Sequence, residues 1–213
     1  YERTRDFFMK IYRELFKKFN NSISINADLS NYSWFNLGGP AEYFFKPKNE
    51  SQLIEFLKSN RANKLKLTIL GAGSNTLIRD KGVKGVVLKL SSGFSQIKLI
   101  EKDIIQAGAA TLDRKVSNFA KDNNISNFEF LSCIPGSIGG AVIMNSGCYD
   151  NDISKILVSI RAIDINQCEE REITRNEIEF YYRGTNLSKD LIITSVKLKG
   201  KIKPKGMIEK IQN

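Results

Sequence analysis

The sequence predicts an α+β fold, because its 213 residues contain two successive stretches with different orders of predicted strands and helices. Residues Ala41–Leu90 have the order strand, helix, strand, glycine-rich turn and strand, which is a small α/β unit. From Ser91 onward, a hairpin and a helix precede segments that alternate or run apolar, as in a mostly antiparallel sheet. The hydrophobic fraction of 41% and the charged fraction of 26% are typical of a globular protein.

The first unit contains three predicted strands and one predicted helix. The strands are Ala41–Lys46, Lys66–Leu70 and Gly85–Leu90, and the helix is Glu50–Asn60. Aromatic residues make the first strand a candidate for the core, so we expect Tyr43–Phe45 and the preceding Trp34 to be buried.

The second unit begins with a predicted hairpin, Gln96–Leu99 and Asp103–Ala107. A helix over Leu112–Asn123 follows, with apolar residues at helical spacing. The remaining predicted strands are Val158–Ile165, Glu169–Thr174 and Leu191–Leu198.

Both ends of the chain have a different character. Residues Thr4–Asn20 form a predicted amphipathic helix, which we expect to pack on its own protein, with a membrane surface as the alternative. After Lys199 the residues Gly-Lys-Ile-Lys-Pro-Lys-Gly predict a linker. The sequence shows no secretory signal and no run of about 20 apolar residues, so we expect a cytoplasmic protein.

Composition excludes several kinds of chemistry. Histidine is absent, which removes histidine ligands and histidine acid–base catalysis. Cys133, Cys148 and Cys168 lack the spacing of a metal site, and we expect them to be small buried hydrophobic residues. The net charge of +10 is scattered along the chain, which gives only a weak bias towards anionic ligands.

Gly71-Ala72-Gly73-Ser74-Asn75-Thr76 follows a predicted strand and begins like a dinucleotide-binding fingerprint. The full pattern fails, because Thr76 stands where the third glycine belongs and no helix with a suitable acid follows. Glycines with positive φ would still let backbone N–H groups converge on a pyrophosphate, to which Ser74 and Asn75 add donors. A plain turn between strands is the alternative.

A second glycine cluster, Pro135-Gly136-Ser137-Ile-Gly139-Gly140-Ala141, lies in a stretch with almost no charge. A helix that began near Ser137 would offer free N–H groups to an anion or a carbonyl group. Gly139 and Gly140 would let a ligand touch the backbone, and Asn145 could donate a further hydrogen bond. A glycine-rich crossover is the alternative.

Arg183 follows Tyr181 and Tyr182, with Glu177 and Glu179 upstream. Its ordinary role would be a surface ion pair. Its more specific role would be to bind a carboxylate or a developing enolate through paired N–H donors.

Four blocks in order resemble the UDP-N-acetylenolpyruvoylglucosamine reductase family. They are Trp34-Phe-Asn-Leu-Gly-Gly-Pro-Ala41, Leu70-Gly-Ala-Gly-Ser-Asn-Thr-Leu77, Ile134-Pro-Gly-Ser-Ile-Gly-Gly-Ala-Val-Ile-Met-Asn-Ser-Gly147 and Tyr182-Arg183. The resemblance implies an FAD-binding PCMH-type fold, shared with vanillyl-alcohol oxidase and p-cresol methylhydroxylase and distinct from the Rossmann fold. It implies subdomains over residues 21–90 and 91–199, with the flavin between them, after an N-terminal helix over residues 1–20.

The resemblance also implies a reaction. NADPH would reduce the flavin, and the flavin would reduce an enolpyruvyl group on a UDP-sugar to give UDP-N-acetylmuramate for peptidoglycan. The glycine clusters would hold the pyrophosphate and the isoalloxazine ring. Tyr182 and Arg183 would bind the substrate, and Arg183 would stabilise the enolate. No metal, nucleic acid or membrane is implied, and we expect a monomer.

The sequence departs from the family pattern in two places. The family's serine proton donor and a C-terminal glutamate belong to a later substrate domain, which we expect to begin in residues 200–213 and to continue beyond Asn213. Only seven residues separate Arg183 from Leu191, which resembles the class without a tyrosine loop. Two alternatives remain: an FAD oxidase of the same fold, tethered through Cys133 or Cys148, and a basic nucleic-acid-binding module.

Overall fold

The computed structural model describes residues 17–204, apart from the side chains of residues 62 and 63. Residues 17–19 are helical, and the rest of the predicted helix over residues 4–20 lies outside the described residues. The same holds for residues 205–213 of the predicted linker and C-terminal segment.

Besides the helical residues 17–19, the described chain contains three α-helices, fifteen strands and several short 3-10 turns. The helices are α1 Glu50–Asn63, α2 Asp113–Asp122 and α3 Ile138–Ile143. The strands are β1 Ile23–Asp28, β2 Pro40–Phe45, β3 Leu67–Ile69, β4 Val83–Leu88, β5 Ile97–Glu101, β6 Ile104–Gly108, β7 Ile125–Ser126, β8 Gly147–Cys148, β9 Asn151–Asp152, β10 Leu157–Asp164, β11 Glu169–Thr174, β12 Phe180–Tyr181, β13 Gly184–Thr185, β14 Leu191–Lys199 and β15 Lys201–Ile202.

The first sheet has four strands in the order β1-β2-β4-β3. The predicted strands β2, β3 and β4 are confirmed and run parallel, whereas β1 joins the edge antiparallel to β2. Sequence analysis missed β1 because only Ile23 of its six residues is buried, so the strand shows no apolar face. Helix α1 lies between β2 and β3 along the chain, as predicted, and its Asn49 caps the first turn by accepting a hydrogen bond from the backbone of Gln52.

The second sheet has five strands in the order β11-β10-β14-β6-β5, and all its neighbours are antiparallel. The predicted antiparallel sheet is therefore confirmed. Helices α2 and α3 contribute Val116, Ala120, Ile138 and Val142 to the hydrophobic core that this sheet covers.

The hydrophobic core continues from one sheet to the other. Phe19 and Phe56 pack against Phe45 of the first sheet, and Phe45 and Phe56 stack with ring centroids 4.0 Å apart. The same cluster includes Ile163 and Ile192 of the second sheet. The strands of the first sheet precede residue 90 and those of the second sheet follow it. The hydrophobic core, however, contains residues from both sheets.

Two burial predictions need correction. Tyr43, Phe44 and Phe45 are buried as predicted, but the side chain of Trp34 is 61% exposed. Its backbone N–H donates to the carbonyl oxygen of Gly73, which holds this segment against the first glycine loop on the protein surface. Cys168 is buried, whereas the other two cysteines are exposed or half-buried.

Candidate functional site

The first glycine loop begins where the parallel strands of the first sheet end. Gly71 follows β3 and Lys89 follows β4, and the carboxyl ends of parallel strands share one edge of a sheet. The Lys89 ammonium group donates a hydrogen bond to the carbonyl oxygen of Gly71. Burial, with a smaller contribution from Lys46, lowers the pKa of Lys89. This edge therefore places a cation beside the loop.

Gly73 fixes the shape of that loop. It is buried with φ at +78°, and a Cβ there would lie 1.9 Å from the carbonyl oxygen of Tyr32. Gly71 lacks the expected positive φ and is exposed. Only one of the two glycines thus has the left-handed conformation expected from the sequence. Ala72, Ser74 and Thr76 are half-buried, and Asn75 is exposed.

The two glycine clusters meet in space. A Cβ on Gly71 would lie 3.2 Å from the hydroxyl oxygen of Ser137. A Cβ on Gly136 would lie 2.6 Å from Asp113 Oδ2 and 3.8 Å from Ser74 Oγ. Segments 71–74 and 134–137 therefore form one surface, which we call the glycine junction. Pro135 is exposed next to it.

Two buried polar groups lie at the glycine junction without a hydrogen-bond partner. They are both carboxyl oxygens of Asp113 and the hydroxyl group of Thr111. Asp113 is 0% exposed, and burial raises the pKa of its carboxyl group to about 7. Buried polar atoms are normally paired, so these two groups require an explanation.

The start of α3 corrects one expectation. A helix does begin directly after Ser137, as the sequence predicts. Its first N–H groups, however, are used within the protein: Ile138 donates to the carbonyl oxygen of Thr111 at 2.8 Å, and Gly139 to that of Ala109 at 3.0 Å. These two groups are therefore not free for an anion, and they attach α3 to the end of β6.

Gly139 and Gly140 differ in burial on α3. Gly139 is buried, and a Cβ on it would lie 2.9 Å from the Cβ of Ala109. Gly140 is exposed, and its nearest neighbour would be Ser137 Oγ at 3.7 Å. Packing within the protein thus explains the glycine at residue 139, while Gly140 has a bare backbone surface that is exposed. Ala141 is buried in the core.

Tyr182 and Arg183 form the turn of the hairpin β12–β13. Arg183 has φ at +58°, which is uncommon for a residue with a side chain. Its guanidinium group donates to the carbonyl oxygen of Gly147 at 3.1 Å and lies 5.4 Å from the ring centre of Tyr182, a side chain that is 88% exposed. The turn therefore holds an exposed cation beside Gly147, six residues after the second glycine cluster.

Asn145 attaches this hairpin to α3. Its side-chain amide donates to the carbonyl oxygen of Tyr181 at 3.2 Å, and its side-chain oxygen accepts from the backbone of Ser154 at 3.2 Å. Nearby, burial and the neighbouring Cys133 raise the pKa of the Cys148 thiol, which donates to the carbonyl oxygen of Phe130.

Sequence reasoning missed three residues of this site: Lys89, Thr111 and Asp113. The parallel strand order could have indicated Lys89, since it follows the strand beside that of Gly71. Asp113 looked like an ordinary first-turn acid of α2. Its position under Gly136 depends on tertiary packing, which no local pattern predicts.

The site and the fold together define a domain that binds a nucleotide cofactor. Glycine loops from two segments meet at the ends of the strands, with a lysine at one side and an open helix face at the other. The chain belongs to the FAD binding domain family, whose model matches residues 41–170. FAD is accordingly the cofactor, and the unpartnered polar atoms and the bare surface at Gly140 fit a bound ligand.

The most similar relatives share one name. The chain is 46% identical over 200 residues to UDP-N-acetylenolpyruvoylglucosamine reductase of Pelagibacter ubique (strain HTCC1062), covering 92% of this chain and 66% of that protein. It is 48% identical over 166 residues to the reductase of Rickettsia akari (strain Hartford), covering 78% and 55%. The chain thus spans between about half and two thirds of the length of these curated relatives.

Solved structures agree on the fold. The reductase of Thermus caldophilus superposes with a TM-score of 0.76 at 28% identity, over 89% of this chain and 65% of that one. p-Cresol methylhydroxylase gives a TM-score of 0.65 at 13% identity, over 93% and 44%. This likeness confirms the predicted PCMH-type α+β fold. Within residues 17–204, no helix is long and apolar enough to span a membrane, and no cluster of three acidic or cysteine side chains suits a metal.

Proposed function

We propose that this chain is the flavin-binding part of a UDP-N-acetylenolpyruvoylglucosamine reductase. It would use NADPH, through FAD, to reduce the enolpyruvyl double bond of the UDP-sugar and give UDP-N-acetylmuramate for peptidoglycan synthesis. The similarity to named reductases supports this proposal, but the chain spans at most 66% of the length of the relatives described above. We expect the enzyme to act in the cytoplasm as a monomer.

The position of Arg183 is the observation that carries the proposal. Gly140 offers an open surface on α3, and Arg183 lies beyond the C-terminal end of the same helix, bonded to Gly147. A flat ring placed against Gly140 would therefore lie on the helix whose C-terminal end contacts the Arg183 hairpin, through the Thr185 hydroxyl group and the carbonyl oxygen of Ile143. An arginine with remaining N–H donors and an exposed tyrosine neighbour suits a substrate carboxylate.

This chain's residues have separable roles. The glycine junction and Lys89 would hold the diphosphate of FAD, and the surface at Gly140 would receive its ring. Bound FAD supplies the hydride chemistry that the side chains lack. Addition of a hydride to the β-carbon of the substrate would leave negative charge on its α-carbon and carboxylate. Arg183 would stabilise that charge where it develops, and Tyr182 would line the substrate side.

Two half-reactions test the proposal on the full-length gene product. Under anaerobic conditions, NADPH should bleach the visible absorbance of the bound flavin. Addition of UDP-N-acetylenolpyruvoylglucosamine should then restore that absorbance, and mass spectrometry should detect UDP-N-acetylmuramate. Flavin that NADPH reduces but the UDP-sugar does not reoxidise would contradict the proposed substrate.

An oxidase of the same fold remains the alternative. Such enzymes often attach FAD through a histidine or a cysteine, and since the chain has no histidine, Cys133 and Cys148 are the candidates. The raised pKa of Cys148 keeps its thiol protonated and poorly nucleophilic, which disfavours a tether there. Intact-mass analysis decides the matter: a protein mass increased by that of FAD after denaturation would favour the oxidase.

A further inference from the structure

Asp113 is a buried acid that the proposed reaction does not use. It begins α2, its side chain is 0% exposed, and neither carboxyl oxygen has a hydrogen-bond partner. The hydroxyl group of Thr111, two residues earlier, is also buried without a partner. An ionised carboxylate without a partner is expensive to bury, so this environment favours the protonated acid.

The carboxyl group lies under the glycine junction. Its Oδ2 atom is 2.6 Å from the point where a Cβ of Gly136 would be, and Ser74 Oγ is 3.8 Å from that same point. The backbone N–H of Asp113 also donates to the carbonyl oxygen of Gly136 at 3.1 Å. Asp113 thus supports the segment that, together with the loop of Ser74, would surround the diphosphate of FAD.

The surroundings offer no compensating charge within the packed segments. Segments 71–76, 109–112 and 134–137 contain no ionisable side chain. Glu129 and Cys133 belong to the 3-10 helix that packs along α2, but burial alone is the cause of the raised Asp113 pKa. Arg114 and Lys115, the next residues of α2, are exposed.

We propose that Asp113 is a positioning residue for FAD, that the cofactor binds to the protein with this carboxyl group protonated, and that FAD binding is therefore coupled to proton uptake. Two charges of the same sign repel strongly in a poorly solvated region, so the FAD diphosphate and an ionised Asp113 oppose one another. The bound diphosphate makes the acid still weaker. The protein then takes up a proton from solvent when FAD binds above the pH at which free Asp113 ionises. The proposal rests on FAD binding, not on the reductase activity.

Lys89 is a second titratable group beside the glycine junction. Its ammonium group donates to the carbonyl oxygen of Gly71, and burial lowers its pKa. Deprotonation of Lys89 would also weaken FAD binding as pH rises. The two contributions can be separated, because only that of Asp113 disappears when a neutral isostere replaces the acid.

The experiment measures the Kd of FAD by flavin fluorescence between about pH 6 and pH 9 for the whole chain and its Asp113→Asn variant. The Kd of the unmodified protein should rise by up to tenfold per pH unit above about pH 7. Asp113→Asn should bind FAD at about pH 6 within a few-fold of the unmodified protein and should lose that rise. Lys89→Arg, which keeps a cation, should retain it. Asp113→Ser serves as a second neutral variant if the amide disturbs folding.

Calorimetry in buffers of different ionisation enthalpy gives an independent reading. At about pH 8, FAD binding should take up close to one proton in the unmodified protein and much less in Asp113→Asn. A Kd that does not change with pH, or a pH dependence that is the same in Asp113→Asn and Asp113→Ser as in the unmodified protein, would overturn the proposal while leaving the FAD site in place. Absence of any FAD binding would overturn both.

Discussion

The carboxyl group of Asp113 occupies the space beside Gly136, since a Cβ on Gly136 would lie 2.6 Å from Asp113 Oδ2. Real Cβ atoms do not approach an oxygen this closely, so one of the two groups must move if residue 136 gains a side chain. Asp113 begins α2 and Gly136 precedes α3, so this contact joins two elements that are distant in sequence.

Gly136→Ala should therefore destabilise the protein by about 1–3 kcal/mol, the usual cost of overpacking. In an Asp113→Ala background the carboxyl group is absent, and the same substitution should cost at least about 1 kcal/mol less. Chemical denaturation of the four proteins in this cycle measures the coupling. Additive effects would show that the two residues do not compete for the same space.

Stability should depend on pH through Asp113. Its folded pKa, about 7, is above the ordinary value of 3.8, so the native state holds the proton more tightly than the unfolded chain does. The stabilising contribution is complete below about pH 4 and is lost as pH rises through about 7. Relative to Asp113→Asn, the unmodified protein without FAD should lose roughly 2–3 kcal/mol between pH 5 and pH 8. If the free energy of unfolding changed equally with pH in the two proteins, the raised pKa would not belong to Asp113.

The two glycines of α3 should respond in opposite ways. Gly139→Ala should destabilise the fold by about 1–3 kcal/mol, because the new Cβ meets Ala109. Gly140→Ala should leave stability unchanged or raise it by up to about 1 kcal/mol, as alanine is the better helix former. Thermal denaturation compares the stabilities of these two variants.

Gly140→Val should weaken FAD binding at least tenfold while the protein stays folded. If the variant bound FAD as tightly as the unmodified protein does, the flavin ring would not lie against Gly140.

Arg183→Lys keeps the positive charge but removes the paired donor geometry. We expect the rate at which the UDP-sugar reoxidises reduced flavin to fall by about 10²-fold or more, with little change in FAD affinity. Stopped-flow absorbance measures that rate in the full-length gene product. Arg171→Lys is the matched control, because Arg171 is an exposed residue of β11. Equal reoxidation rates in both variants would remove Arg183 from the reaction.

Sequence reasoning predicted those parts of the fold that local patterns determine. The strands Pro40–Phe45 and Leu191–Lys199 are rich in apolar residues, and both are present. The helix start at Ser137 was also correct. Trp34 was predicted wrongly, because a large aromatic residue is normally buried, whereas its side chain is 61% exposed. The hydrogen bond from its backbone to Gly73 joins two loops, and no local pattern predicts it.

The glycine loops of the site could be predicted from the sequence, but the buried charge-bearing group Asp113 could not. Glycine spacing gives no indication that Gly139 packs on Ala109 while Gly140 faces outward. Asp113 becomes notable only when the fold buries its carboxyl group without a partner. Such properties arise from contacts between distant segments, which single-sequence patterns do not contain.

A crystal structure of the chain with FAD would test the central claim most directly. We predict that the isoalloxazine ring lies within about 4 Å of the Gly140 backbone, in van der Waals contact, with the diphosphate at the glycine junction and Arg183 at the open side. A ring bound elsewhere, with the surface at Gly140 left to solvent, would contradict this account.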